Sequence, residues 1–263
     1  MKDIHSGLKS TNKFESSNHT DLFNQIIEKG YGFLETIIDS EFCKALVDDL
    51  EIIRGKSPYN LEGIEMFNGV FRSPFLFFNS YRDLALLEEL RGYLVEFFPN
   101  NYQLHLNRCV ESKSSMNAAT NQLHRDIPYL HTPSKYPLSL SALTFLNEYE
   151  DMQISIYEGS HNKYFYDLEK AKELKLNPKA GQTLIFDSNL IHNTIPTTKE
   201  VKYNLFMFSS PIIKPIVDYS SPSTFIKLSK NKYRYDEILN LIGYQFAIPK
   251  DDFEYLKPKL SDL

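Results

Sequence analysis

Apolar positions along the chain change their rhythm near residue 100. Before it they recur at helical spacing. Leu22, Phe23, Ile26 and Ile27 follow Thr20 and Asp21, which offer an N-cap, and Gly30 can close the helix. Tyr31–Ile38 reads as a strand. Ser40 can cap a second helix that carries Phe42, Leu46, Leu50 and Ile53 on one face. A third helix is predicted from Asp83, with Leu84, Leu87, Leu90 and Leu94, and stops before Pro99.

From residue 101 short apolar or alternating runs take over, separated by turn residues. They are Tyr102–Val110, Leu138–Leu146, Gln153–Tyr157, Thr183–Phe186, Leu190–Thr194 and Tyr203–Ser209. Six strands without helices between them predict an antiparallel sandwich or barrel. A last helix is expected over Asp236–Ile242. The expected organisation is a flexible polar tail over 1–19 and one domain over 20–263. That domain comprises a helical buttress over about 20–100, a β core over about 101–210 and a C-terminal extension over about 211–263. The fold class is mainly β with flanking helices.

Composition supports a self-sufficient core: 263 residues, 42% of them hydrophobic. A net charge of −5 disfavours nucleic acid as a partner, because phosphate tracking calls for a basic face. The lysines and arginine at Lys227, Lys230, Lys232 and Arg234 read as a solvated surface. Two cysteines, Cys43 and Cys109, form neither a C-x-x-C pair nor a disulfide framework. The first residues contain no apolar signal segment, and no run matches a membrane span. A cytoplasmic protein with no membrane partner is therefore expected.

The chemistry concentrates in Gln122-Leu123-His124-Arg125-Asp126-Ile127-Pro128. On an extended backbone His124 and Asp126 point to one face, since strand side chains repeat every two residues. A third ligand must come from elsewhere, and His192 in Leu190-Ile191-His192-Asn193-Thr194 is the best candidate. Two imidazoles and one carboxylate on one face of an octahedron leave open positions, the arrangement of non-haem Fe(II) oxygenases. Taken singly, each residue also fits an ordinary hydrogen-bonded role. Thr194 follows His192 on the same strand face. In Tyr102–Val110, Gln103, His105 and Asn107 alternate with Leu104 and Leu106. They imply either a polar interior or a solvated strand face.

Four motifs in order resemble the phytanoyl-CoA dioxygenase-like oxygenases, including ectoine-hydroxylase-like enzymes, over about residues 20–215. Glu28-Lys29-Gly30-Tyr31-Gly32-Phe33-Leu34 resembles the opening strand. His124-Arg125-Asp126 resembles the His-x-Asp motif, with Leu123 where an aromatic residue is usual. Glu158-Gly159-Ser160-His161 resembles a Pro-Gly-Ser-His loop, with Glu158 in place of proline. Gly181-Gln182-Thr183-Leu184-Ile185-Phe186-Asp187, followed by His192, resembles the distal strand and histidine.

The resemblance implies a double-stranded β-helix (jelly-roll, cupin-like) core. It also implies Fe(II), 2-oxoglutarate as co-substrate and O2. The activity it implies is hydroxylation of a small polar metabolite or biosynthetic intermediate, with release of succinate and CO2. Desaturation, cyclisation, epimerisation or a non-catalytic binding module on the same fold are the alternatives. His124, Asp126 and His192 would hold iron. Lys202 stands where the family's arginine grips the distal carboxylate of 2-oxoglutarate, with Thr194 and Gln103 assisting. Lysine gives a point charge in place of a two-pronged contact. His105, Asn107 and His161 would face substrate. The presence of Asp126 argues against halogenation, where a small residue replaces the carboxylate. A cupin-type isomerase would begin with His-x-His, which this sequence lacks.

Overall fold

The computed structural model describes residues 19–55, 70–72, 74, 78–98, 102–112, 122–126, 136–147, 153–163, 166–195 and 201–210. The expectations for the N-terminal tail, the C-terminal extension and the helix at 236–242 lie outside the described residues.

Four helices precede most of the strands: α1 (His19–Lys29), α2 (Ser40–Gly55), α3 (Asn79–Ala85) and α4 (Glu88–Phe97). The strands are β1 (Tyr31–Phe33), β2 (Val70–Arg72), β3 (Gln103–Ser112), β4 (Ser139–Phe145), β5 (Gln153–Tyr157), β6 (Glu173–Leu176), β7 (Thr183–Asp187), β8 (His192–Ile195) and β9 (Val201–Ser209). A six-stranded sheet has the order β1-β7-β4-β9-β3-β2, and a three-stranded sheet the order β6-β5-β8. Every pairing in both sheets is antiparallel. The antiparallel, helix-flanked fold class predicted from the sequence is therefore present.

Two apolar clusters sort the faces of the large sheet. One face carries Leu140, Ala142, Ile185, Phe206 and Phe208, packed with Leu46, Leu50, Tyr81, Leu90 and Leu94 of the helices. The other carries Leu143, Phe145, Leu184, Phe186 and Tyr203, packed with Ile154 and Ile156 of the small sheet. Both faces of β4, β7 and β9 are thus buried, so these strands lack the simple apolar-polar alternation of a half-solvated sheet.

Three departures from the predicted elements have local causes. The strand expected over Tyr31–Ile38 keeps its ladder only to Phe33. Beyond it, the backbone N–H groups of Glu35 and Thr36 donate to the Glu89 carboxylate at 2.8 and 2.9 Å. The helix expected from Asp83 is two helices, α3 and α4, separated at Leu86 and Leu87. The cap of α2 is Asp39 rather than Ser40, its carboxylate accepting from Phe42 N–H at 2.7 Å. Gly181 is obligatory for close packing: its φ is +79°, and a Cβ there would lie 1.9 Å from the Ile38 carbonyl oxygen. Among the described residues no helix is long and apolar enough to cross a membrane.

Candidate metal centre

His124 and His192 are locked together through their backbones. Each N–H donates to the other's carbonyl at 3.0 Å, an isolated antiparallel bridge beside β8. Asp126 N–H donates to Ser188 carbonyl at 2.9 Å. One turn of chain after β7 therefore positions all three residues. Their donor atoms lie within 4.8 Å of one another, the His-Asp-His group predicted from the sequence.

The ring nitrogens are sorted. His124 Nδ1 lies 2.8 Å from Gln122 carbonyl, and His192 Nδ1 lies 3.0 Å from Leu190 carbonyl. A carbonyl only accepts, so each Nδ1 carries the proton and each Nε2 keeps its lone pair for a metal. Both Nε2 atoms are 3.6 Å from the same oxygen, Asp126 Oδ1. Asp126 Oδ2 accepts from Ser141 Oγ at 2.5 Å. One carboxylate oxygen thus faces the histidines while the other is held by the sheet. Sorted imidazoles and a single facing oxygen fit a six-coordinate metal with three positions left for other ligands.

Electrostatics agree with that reading at Asp126 and His192, while His124 is shifted the other way. Burial raises the Asp126 carboxyl, but His192, His124 and Ser141 together outweigh it and hold it below its ordinary value. Burial opposes protonation of His124, yet Asp126 outweighs it and the ring sits above its usual range. At His192 burial dominates over Asp126, and the ring stays below its usual range and neutral. A neutral imidazole is the ligand form.

Arg125 points away from the centre, as its place between His124 and Asp126 on an extended backbone requires. Its guanidinium donates to the carbonyls of Ser160 and Lys163, both at 3.1 Å, and of Asn189. Burial lowers its pKa while Asp187 opposes the shift. Burial also pushes Asp187 up to about 7, against the Asn189 N–H and Arg125. The Glu158-Gly159-Ser160-His161 loop is likewise a brace. Ser160 Oγ accepts from Ile191 N–H at 2.8 Å, immediately before His192. The His161 ring donates through Nε2 to Ile27 carbonyl at 3.1 Å, near the end of α1. Its other face packs on Gly30, whose φ is +93° and where a Cβ would lie 2.6 Å from His161 Nδ1. His161 therefore ties the loop to α1 through its Nε2, a role other than the substrate contact that the resemblance implies.

Thr194 is buried on the same face of β8 as His192, in register with Ile154 as His192 is with Ile156. Lys202 is elsewhere. In β4 and β9 the metal-side positions are Ser141, Leu143 and Phe145, opposite Met207, Leu205 and Tyr203. Lys202 alternates with these and belongs to the helix-facing side. Its Nζ lies 3.1 Å from Glu111 and 3.2 Å from Glu51 of α2. The assignment of Lys202 to 2-oxoglutarate is corrected: a family position was carried over, and strand parity turns its side chain to the other face.

Asn107 is corrected for the same reason. A register shift between Leu104 and Leu106 inserts a bulge at His105. Past it Asn107 lies on the helix-facing side, fully buried, donating to Asn204 Oδ1 at 2.8 Å and Leu205 carbonyl at 3.2 Å. Gln103 pairs with Ser209 at the start of β3. The side chains of Gln103 and His105 lie outside the described residues. The bulge brings a different residue to the metal-side face: Arg108, in register with Leu205 and followed by Val110 opposite Tyr203. The sequence carried a signal for it, a lone charge between Leu106 and Val110 at alternate positions.

No protein-family model matches the sequence, and no curated protein matches it. Solved structures do. AviO1 from Streptomyces viridochromogenes Tue57 superposes with a TM-score of 0.59 at 13% identity, covering 77% of this chain and 99% of that one. SnoN, a non-haem α-ketoglutarate-dependent epimerase from nogalamycin biosynthesis, gives 0.59 at 12% identity over 74% and 84% of the two chains. SnoN has also been solved with Fe3+, α-ketoglutarate and nogalamycin RO. SnoK, a non-haem α-ketoglutarate-dependent carbocyclase from nogalamycin biosynthesis, gives 0.58 at 15% identity over 78% and 86%. At these identities what the chain shares with them is the fold.

Proposed function

We propose that this protein is a non-haem Fe(II)- and 2-oxoglutarate-dependent oxygenase acting on a small molecule. One observation carries the reading: two sorted imidazoles and a single carboxylate oxygen converge in a fold shared with enzymes of that chemistry. The motifs resembling phytanoyl-CoA dioxygenase-like enzymes add to it. In this reading the two sheets are the halves of a double-stranded β-helix, and His124, Asp126 and His192 hold the metal. Bound iron supplies the oxidising chemistry: 2-oxoglutarate and O2 yield succinate and CO2 while a substrate C–H bond is oxidised.

The protein's own part is positioning and exclusion of water. The apolar wall of Leu143, Phe145, Leu184, Phe186, Ile154 and Ile156 keeps the space beside the ligands dry. Arg108 takes the role expected of Lys202. Its Cα lies two strand spacings and two residues from Ser141, about 12 Å, a gap that 2-oxoglutarate and the arginine side chain can fill together. A guanidinium also supplies the two-pronged contact that a lysine lacks. In this reading Thr194, two residues from His192 on the same strand face, donates to the same co-substrate.

Hydroxylation, R–H to R–OH, is the simplest outcome. The epimerase and carbocyclase among the similar structures favour a second: the same hydrogen removal without oxygen insertion. Incubation of a substrate under labelled O2, read by mass spectrometry, separates the two. The class itself is tested by adding Fe(II) and then 2-oxoglutarate without oxygen. A charge-transfer band in visible light is the expected result, and its absence in the wild-type protein overturns the proposal. Arg108→Ala should weaken the 2-oxoglutarate titration by about 2–5 kcal/mol, as an unpaired carboxylate is left in a water-poor site. Iron stoichiometry should not change, because Arg108 is not a ligand. An unaltered titration would remove Arg108 from the co-substrate site.

A further inference from the structure

Behind Asp126 stands a row of hydroxyls. Ser141 Oγ donates to Asp126 Oδ2 at 2.5 Å, Ser188 Oγ lies 2.8 Å from Ser141 Oγ, and Ser139 Oγ lies 2.9 Å from Ser188 Oγ. Ser139 Oγ is also 2.9 Å from the Phe208 carbonyl. All three serines are fully buried. Ser139 and Ser141 precede Leu143 and Phe145 on one face of β4, so the polar positions are confined to the end of the strand nearest the metal ligands. A buried hydroxyl is unfavourable unless hydrogen-bonded, and an apolar side chain would fill these positions more easily.

Proton inventory gives the row a direction. Each serine has one hydroxyl proton. An ionised carboxylate only accepts, so the proton of Ser141 is committed to Asp126. Ser141 then accepts from Ser188, and Ser188 in turn accepts from Ser139. The Phe208 carbonyl is an alternative acceptor for the last proton. The Ser188 and Ser141 hydroxyl dipoles, aligned head to tail, polarise one another and end on one carboxylate oxygen. The backbone follows the same route: Asp126 N–H donates to Ser188 carbonyl at 2.9 Å, and Ser188 N–H donates to Ser139 carbonyl at 3.1 Å.

We infer that Ser141, Ser188 and Ser139 are positioning residues for the metal centre. They hold Asp126 Oδ2 out of the coordination sphere, so that Oδ1 alone serves as a ligand and further positions stay open for co-substrate and O2. Ser188 acts at a distance, through Ser141. The inference rests on the proposed metal-centre reading.

The test uses Co(II) alone, anaerobically, on the full chain, followed by its d–d absorption and by calorimetry. Wild type is expected to bind one Co(II). Ser141→Ala should bind it about 10–100-fold more weakly, with shifted d–d bands from a reoriented carboxylate. Ser188→Ala should weaken it several-fold, though it touches no ligand side chain, and Ser139→Ala less. Ser141→Thr keeps the hydroxyl and should retain most of the affinity. Circular dichroism checks that each variant is folded, and if Ser141→Ala fails that check, Ser188→Ala decides alone. Alanine variants that keep the wild-type constant and spectrum overturn the inference, as does a threonine variant as weak as alanine. Absence of Co(II) binding by wild type, or wild-type binding by His192→Ala, overturns the metal-centre reading itself.

Discussion

His192→Ala and His124→Ala should each yield a folded protein that no longer retains iron. Each removes one of three ligands, and the two remaining groups cannot hold the ion against water. The backbone bridge between residues 124 and 192 does not use the side chains, so the local geometry should survive the substitution. The His192 ring also packs edge-on against Phe186 at 4.7 Å, so His192→Ala carries some packing loss, whereas the more exposed His124 carries less. The difference matters for the measurement. A ligand that binds only the native state adds stability by mass action, about 2.7 kcal/mol at a hundred times its dissociation constant. Wild type should therefore melt at a higher temperature with added Fe(II) under argon, while both alanine variants should show no increment. Metal analysis after desalting gives the second reading: one iron per wild-type chain and none in either variant. Wild-type stoichiometry in both variants would show that these residues do not hold the metal.

Lys202→Met should destabilise the fold strongly and leave co-substrate binding untouched. The Lys202 ammonium lies between Glu111, whose side chain is 3% exposed, and Glu51, which is 48% exposed. The Glu51 contact reaches solvent and is worth little. Glu111 is different, because removal of Lys202 takes away a cation 3.1 Å from a carboxylate in the interior. Breaking a buried pair from one side typically costs about 3–5 kcal/mol. For a domain of this size that corresponds to a fall in melting temperature of roughly 6–20 °C. Lys202→Met combined with Glu111→Leu should recover most of the loss, since an apolar replacement removes both charges together. The 2-oxoglutarate titration should be the same in wild type and in the double variant. A weaker titration there would return Lys202 to the co-substrate site.

What the sequence made legible follows physical lines. The group of His124, Asp126 and His192 was readable because few residue types can hold a metal ion and the His-x-Asp spacing puts two of them on one face of an extended chain. Helices α1 and α2 were readable from a 3.6-residue period, although each begins at or before the cap residue read for it. The break between α3 and α4 was not, because Leu84, Leu87, Leu90 and Leu94 continue the period through it and neither glycine nor proline marks it. Strands β2 and β6 were missed: the first has three residues, and the second is Glu173-Leu174-Lys175-Leu176, too short and too charged to stand out. The faces of β3 and β9 were the costly error. With both sides of the large sheet buried, alternation says nothing about which side holds the chemistry. The bulge at His105 shifts the phase without any glycine to announce it.

The contact between Gly30 and His161 bears on how this sequence can drift. Position 30 has a left-handed backbone and no room for a Cβ beside the imidazole. Position 161 needs the imidazole to reach the Ile27 carbonyl. Neither can be exchanged first without cost. A change at 30 clashes with the ring, and a change at 161 leaves a gap and a helix carbonyl without its donor. The two positions, 131 residues apart, should therefore vary as a pair. Relatives that carry a side chain at position 30 should hold something smaller than histidine at 161 and smaller than leucine at 190, whose Cδ1 would lie 2.7 Å from that Cβ. Such relatives would have to brace the loop beside His192 by other means.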